Sequence, residues 1–328
     1  MVEMHGTPKG LLFAIYYPVI TAVGLPANIV VILIFSRGRC GLPRCLAHYL
    51  VSMAVTDLLV IITAVILNRI TGIYFPFSFM SITPVCSLRI ALICGSIDCS
   101  AWLTVAFTFD RFVSICCQNL KIKHCTNKTA LWIIGIVCTM SYLRNIFWYF
   151  VFEPLYVIDN VPWFCVVKPT FYTSPAWVAY DLILVVFSPC LPFIVILLLN
   201  ALTVRHIIVA NRARRRLQPQ RSGENQRDPE MEKRRKSIVL LFAISGSFIA
   251  LYMLYFMTVV YVRIANVTYF TDSDFSDSTF ILEENAYMLQ FLCSSLNPFI
   301  YAGTQRKFRE ELKRGILYPF AMIVKFSN

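Results

Sequence analysis

Residues 86–114 read CSLRIALICGSIDCSAWLTVAFTFDRFVS, an apolar run that opens on a cysteine, carries Asp98 in its interior and closes on Asp110-Arg111-Phe112. A membrane-spanning helix needs about 20 mostly apolar residues. A central Asp or Arg in such a helix costs about 2.5–3.5 kcal/mol on insertion scales, so every charge kept inside one carries information.

Working outward, the same window places further spans near 11–35, 46–68, 130–152, 176–204, 237–262 and 285–304. The fold class expected is all-α, an integral membrane seven-transmembrane helix bundle with a short amphipathic eighth helix. Residues 1–10 form the outer amino terminus, 11–304 the bundle with its third inner loop at 205–236, and 305–328 the amphipathic helix and tail. Composition agrees: 58% hydrophobic and 15% charged residues lie above and below the roughly 45–50% and 25% of soluble domains. The run Leu11 to Phe35 exceeds the roughly 7–15 residues of a signal-peptide core, so it is read as a retained span. No internal repeat of the transporter kind is visible.

A net charge of +12 could mark a nucleic-acid binder, but the basic residues lie between long apolar runs instead of on one soluble face. With the amino terminus outside, the inner segments hold 24 of the 30 Lys and Arg, leaving Lys9, Arg69, Arg89, Arg144, Lys168 and Arg263. That asymmetry sets the expected topology. The basic flanks of 205–236 are expected to extend the fifth and sixth helices beside anionic lipid, around a disordered middle. Phe308, Leu312 and Ile316 recur at a spacing of four among Arg306, Lys307, Arg309, Lys313 and Arg314, the pattern of a helix lying on the inner leaflet. Most of the twelve cysteines fall inside spans, where they act as small hydrophobes. There is no nucleophile beside a base, no pair of carboxylates at a common depth and no metal-ligand spacing, which argues against an enzyme.

Polar residues recur one per helix: Asn28 after Gly24-Leu25-Pro26-Ala27, Asp57 in the second span, Asp110-Arg111-Phe112 ending the third, and Asn297-Pro298-Phe299-Ile300-Tyr301 ending the seventh. In that order the chain resembles the rhodopsin-like (class A) G-protein-coupled receptors over nearly its whole length. The stretch Ile97 to Val105 together with Gly24 to Asn28 resembles the orphan peptide-receptor-like branch whose members answer aromatic amino acids. The resemblance implies a heterotrimeric G protein as inner partner and an extracellular small molecule or short peptide as ligand. It implies a bridge from Cys86 to Cys165 that holds the second outer loop as a lid. It implies a switch at Asp110 and Arg111, with Asn297, Pro298 and Tyr301, in which the freed arginine meets the carbonyl end of a G-protein helix. Asp57, Ser100, Ser294 and Asn297 resemble the family's sodium pocket, with a plain hydrogen-bonding role for Asp57 as the other reading; no other cofactor is expected.

Family alignment places the ligand pocket at Arg89, Ile93, Ile97, Tyr252, Tyr255, Phe256, Val259 and Tyr287, with Asp181 and Glu283 at the rim. Arg89 is the anion contact there, or else a snorkelling side chain. The place of an amine-binding Asp is Ile93 and that of a retinal-binding Lys is Phe291, so an amine ligand is not expected and a light receptor is excluded. Nine residues before the first span leave no room for a protein-hormone ectodomain. Asn266-Val267-Thr268 is a glycan acceptor sequence on the outer side.

Departures from the family pattern concern activation. The sixth helix carries Tyr252 and Leu254 in place of the usual Trp and Pro, so it keeps a backbone hydrogen bond and should kink less. Asn200 replaces the usual fifth-helix Tyr, Cys138 the fourth-helix Trp, and Arg234 an acid that locks Arg111 in many relatives. A non-signalling receptor or scaffold of the same fold therefore stands as the second reading. Asp98 and Arg144 are two intramembrane charges, each the other's best partner; the competing arrangement hydrogen-bonds Asp98 to Ser or Tyr and sends Arg144 outward.

Overall fold

The computed structural model describes residues 8–217, 229–264 and 278–315. Its main helices are α1 (Pro8–Ser36), α2 (Arg44–Tyr74), α3 (Thr83–Cys116), α4 (Asn127–Phe150), α5 (from Pro175 to Leu217), α6 (Pro229–Ile264), α7 (Ser278–Thr304) and α8 (306–315). Short helical turns at Phe79–Ser81, Gln118–His124 and Pro169–Thr173 complete the helical part among the described residues. By length and composition the first six are apolar enough to cross a membrane. α7 falls short because Glu284, Gln290, Ser294, Ser295 and Asn297 lie along it, and all five are buried against the other helices. Polar groups inside a bilayer must face protein, so the most polar helix is also a well-enclosed one.

α4 makes the opposite case. Leu131, Trp132, Ile136, Met140 and Leu143 are exposed, while α4 proper (Asn127–Asn145) buries only Ala130, Ser141 and Asn145. Lipid tails are as apolar as Leu, so small and polar residues go to the helix interfaces and large apolar ones to the outside. Asn28 follows the same logic: its amide nitrogen donates to Gly24 O at 2.9 Å and to Ser294 O at 3.0 Å, tying α1 to α7.

Prolines and hydroxyls set several helix ends. Pro84 lies in the first turn of α3, and the Thr126 hydroxyl accepts from Thr129 N at 3.2 Å to cap α4. α5 widens into one π turn at Val186–Cys190, around Pro189, whose ring carries no N–H for the regular ladder. α2 widens over Ile61–Ile70, where Thr71 N–H reaches Ile66 O five residues back; π turns of this kind re-aim the side chains that follow.

Helix ends differ from the sequence expectation by up to thirteen residues. α7 begins at Ser278 instead of 285 and α6 at Pro229 instead of 237, while α5 runs past 204 to Leu217. Apolar runs stop at the bilayer edge, but helices continue through polar residues that pair along their own length, as Lys236 does with Glu232 at 2.7 Å. The helical flanks of the third inner loop are as expected; its middle lies outside the described residues. The fourth span ends two residues sooner than expected: α4 closes in a 3-10 turn at Phe150, and Phe152 already belongs to a strand.

The loop between α4 and α5 is a β structure that sequence reading did not anticipate. β1 (Phe152–Glu153) pairs antiparallel with β4 (Val166–Val167), and β2 (Tyr156–Ile158) with β3 (Val161–Trp163). Asp159 and Asn160 make its turn with φ of 50° and 61°, a conformation that Asn and Asp tolerate best among non-glycine residues. The Cys86–Cys165 bridge is present, and Thr83 Oγ1 donates to Phe164 O at 2.6 Å beside it, so the loop is pinned to the outer end of α3.

Candidate functional site

Two polar centres lie on α3. In the middle of the bundle Ser100 Oγ donates to Asp57 Oδ1 at 2.8 Å and Asn297 Nδ2 to Asp57 Oδ2 at 2.7 Å. Ser294 reaches the same carboxyl. The four residues expected to form one cluster therefore share a single carboxyl group, drawn from α2, α3 and α7. All four are buried.

Further out, Asp98 is fully buried and pairs with Arg144 of α4. Its carboxylate also accepts from Asn145 Nδ2 at 3.2 Å and from Ser188 Oγ of α5 at 3.0 Å. The Arg144 guanidinium lies 5.5 Å from the Phe187 ring centroid, and Tyr180 OH donates to Arg144 O at 3.0 Å. Of the two arrangements left open by the sequence, the inter-helix pair forms, with a serine hydrogen bond beside it. It joins three helices at one carboxylate.

At the inner end, Arg111 pairs with its own neighbour Asp110, both nearly inaccessible. Cys125 Sγ donates to Asp110 O at 3.8 Å, and burial together with the Asp110 charge pushes this loop thiol up to about 12. Tyr301 is fully buried between Phe35 of α1 at 5.5 Å and Phe308 of α8 at 6.4 Å between ring centroids. α8 is thus held by its apolar face: Phe308 and Leu312 pack on the core, and Ile316 lies outside the described residues. Arg309 donates to Ala302 O and Gly303 O at 2.9 and 3.1 Å, satisfying carbonyls left open at the end of α7. One turn beyond Arg111, a cavity of about 650 Å³ opens between α3, α5 and α6, lined by Ile115, Asn119, Leu120, His206, Ala210 and Arg234 among others. Arg234 Nη2 lies 3.5 Å from Ile115 O.

The expected ligand pocket divides. Ile93, Ile97 and Tyr287 share one apolar cluster with Phe291 and Met288. An aromatic ladder joins it to α6, with ring centroids of Tyr287 and Tyr255 at 5.8 Å and of Tyr255 and Tyr252 at 6.5 Å. Phe256 is not part of it, because it stacks on Phe193 of α5 at 4.9 Å. Val259 is buried. Arg89 does not face the ladder either: its Nη1 donates to Leu67 O and Met80 O, both at 3.1 Å, and its Nη2 to Cys86 Sγ at 3.4 Å. Backbone carbonyls of α2 and of the Phe79–Ser81 turn that follows it take the charge that was expected to meet a ligand. Asp181 and Glu283 are buried instead of rim-exposed, since α5 and α7 each begin at least five residues before them. Asn266 lies outside the described residues.

Sequence reading missed a further pair. Arg69 Nη1 lies 2.6 Å from Glu284 Oε1, Tyr17 OH donates to Glu284 Oε2 at 2.9 Å, and the Arg69 guanidinium lies 5.2 Å from the Tyr287 ring centroid. Starting the seventh span at 285 left Glu284 outside it, so the matching charges on two neighbouring helices were not compared.

A family model described as 7 transmembrane receptor (rhodopsin family) matches residues 27–301. Thyrotropin-releasing hormone receptors are among the similar curated proteins. The human receptor is 29% identical over 136 residues, 41% of this chain and 33% of that receptor, and the mouse receptor is 28% identical over the same length. The Gallus gallus receptor is 24% identical over 315 residues, 90% of this chain and 76% of that receptor. The match thus spans about a third of the human receptor's length. With seven long helices among the described residues, the Cys86–Cys165 bridge and a family match that reaches all seven, this chain belongs to the rhodopsin family of seven-transmembrane receptors and is a multi-pass membrane protein.

Proposed function

We propose that the chain is a G-protein-coupled receptor of the plasma membrane, with its amino terminus extracellular, that binds an extracellular short peptide or small molecule and activates a heterotrimeric G protein. The observation that carries this reading is the cavity one turn beyond Arg111. Its wall is apolar at Ile115, Leu120 and Ala210, and Arg234 and His206 stand beside that wall. A helix end presents carbonyls with partial negative charge, which suits a pocket of this kind. Among the described residues the ion pair of Arg111 is to its own neighbour, so opening that pair separates no two helices.

On the outer side, Ile93, Ile97, Tyr252, Tyr255 and Tyr287 form the ligand-binding wall, with the β2–β3 hairpin above it. The hormone receptors among the relatives favour a peptide; the tyrosine ladder would equally stack an aromatic amino acid, which a screen of the expressed receptor against amino acids and short peptides would distinguish. Asp57, Ser100, Ser294 and Asn297 supply a carboxylate, two hydroxyls and an amide oxygen, a donor set suited to a sodium ion. A sodium-dependent rise in melting temperature that Asp57→Asn removes would support that role.

A non-signalling receptor or scaffold is the second reading. It is favoured by α6, which runs unbroken from Pro229 to Ile264 with Leu254 where a proline would bend it. Ser245 Oγ of α6 donates to Asn200 Oδ1 of α5 at 3.0 Å, a further fastening. Ligand-independent G-protein activation in cells separates the two: activity above background that Arg111→Ala abolishes supports the receptor. Wild-type activity no higher than background would favour the scaffold.

A further inference from the structure

Between the two polar centres of α3, Cys99 Sγ donates to Cys138 Sγ of α4 at 3.2 Å. Both sulfurs lie in membrane-spanning helices, away from the Cys86–Cys165 bridge. No other pair of free thiols makes such a contact among the described residues. A disulfide bond is about 2.05 Å long, so bonding asks for a closure of roughly 1 Å. The seam is built for close approach. A Cβ on Gly95 would lie 2.5 Å from the Tyr142 ring, and the Ser96 and Tyr142 hydroxyls meet at 3.0 Å. Asp98 and Arg144 hold the same two helices further out.

The two sulfurs differ in access. Cys99 is fully buried, whereas Cys138 is half-buried on a helix whose other face, with Ile136 and Met140, is exposed where lipid would lie. In the hydrogen bond Cys138 sulfur is the acceptor and Cys99 holds the shared proton. The outer sulfur is therefore placed to react first and the inner one to resolve the product.

We propose that Cys99 and Cys138 form an intramembrane dithiol site that a lipid hydroperoxide oxidises to a disulfide, fastening α3 to α4. Cys138 sulfur attacks the terminal peroxide oxygen; the O–O bond breaks, the lipid leaves as an alcohol carrying the Cys138 thiol proton, and Cys138 becomes a sulfenic acid. Cys99 sulfur then attacks the Cys138 sulfur, the S–O bond breaks, and hydroxide leaves as water with the Cys99 proton. Two thiols and one hydroperoxide thus give one disulfide, one alcohol and one water, with two electrons passed to the peroxide.

The test uses the full chain in phosphatidylcholine nanodiscs containing phosphatidylcholine hydroperoxide, with a parallel arm given aqueous hydrogen peroxide at the same concentration. The lipid arm should fall from ten titratable thiols to eight and yield a Cys99–Cys138 cross-linked peptide, faster than the aqueous arm. Cys99→Ser should give no cross-link and leave a dimedone-trappable sulfenic acid at Cys138. The proposal is overturned by a wild-type peptide map without that cross-link, by an aqueous arm that is as fast, or by dimedone capture at Cys99 in Cys138→Ser at the wild-type rate. The wild-type map decides the matter even where a serine variant fails to fold.

Discussion

α3 carries two buried aspartates, each paired with an arginine, and the two pairs are built differently. Asp98 takes its arginine from α4, with Asn145 and Ser188 completing the shell from α4 and α5. Asp110 takes Arg111 from the next position in its own chain, and its Oδ1 has no hydrogen-bond partner among the described residues. A pair across helices fastens them to each other. A pair within one helix fastens nothing, so it can open by side-chain rotation alone. The outer pair is thus a structural joint and the inner one is suited to switching, although both are the same two residue types.

The largest effect expected on stability is at the joint. Asp98→Asn or Arg144→Gln strands the remaining group, at a cost of about 3–5 kcal/mol by analogy with buried pairs in soluble proteins. The double variant should lose much less, and surface expression with thermal melting reads all three. Simple addition of the two losses would mean the groups act separately and would dissolve the contrast.

At the inner pair, Arg111→Ala should reverse the pattern, with G-protein activation lost and surface expression largely kept. Its melting temperature should fall less than that of Asp98→Asn, because the Asp110–Arg111 ion pair lies within one helix and joins no two helices. An equal fall would show that both pairs are joints.

A smaller effect is expected at Arg69 and Glu284, which join α2 to α7 like a joint but keep a partly exposed arginine side chain, 23% accessible. Arg69→Gln should cost about 1–2 kcal/mol, near the upper end measured for polar contacts between membrane helices. A loss as large as that of Asp98→Asn would place this pair with the buried joints. The smallest effect belongs to Arg234, whose contact with Ile115 O is long and uses a neutral carbonyl. Arg234→Ala should cost about 0.6 kcal/mol or less while raising basal G-protein activation, since a restraint between α6 and α3 is removed. Lower basal activation would make Arg234 a contact for the partner instead of a restraint.

How much of this was legible beforehand follows from which residues were involved. Seven apolar runs, the Lys and Arg asymmetry and the ordered Asn28, Asp57, Asp110-Arg111 and Asn297-Pro298 positions were enough for the fold class, because lipid demands a hydrophobic length that few other structures share. The Asp98–Arg144 pair could be nominated, since a charge in lipid must find a partner and few were on offer. Arg69 and Glu284 were passed over for a physical reason: near the bilayer edge a charge is cheap, so composition marks neither residue as unusual.

The tertiary structure decided where side chains point. Arg89 and Phe256 are at the alignment positions of a ligand pocket, yet one is taken up by carbonyls of Leu67 and Met80 and the other by Phe193. Rotation about a helix axis is set by packing against neighbours, and the π turns in α2 and α5 change that rotation in a way hydropathy does not register. The sequence by itself determined the number of spans and the cost of each buried charge, which depend on composition along one helix. Only the assembled bundle decided which charges meet, which thiols touch and which arginine stays free to move, because those are properties of pairs of helices.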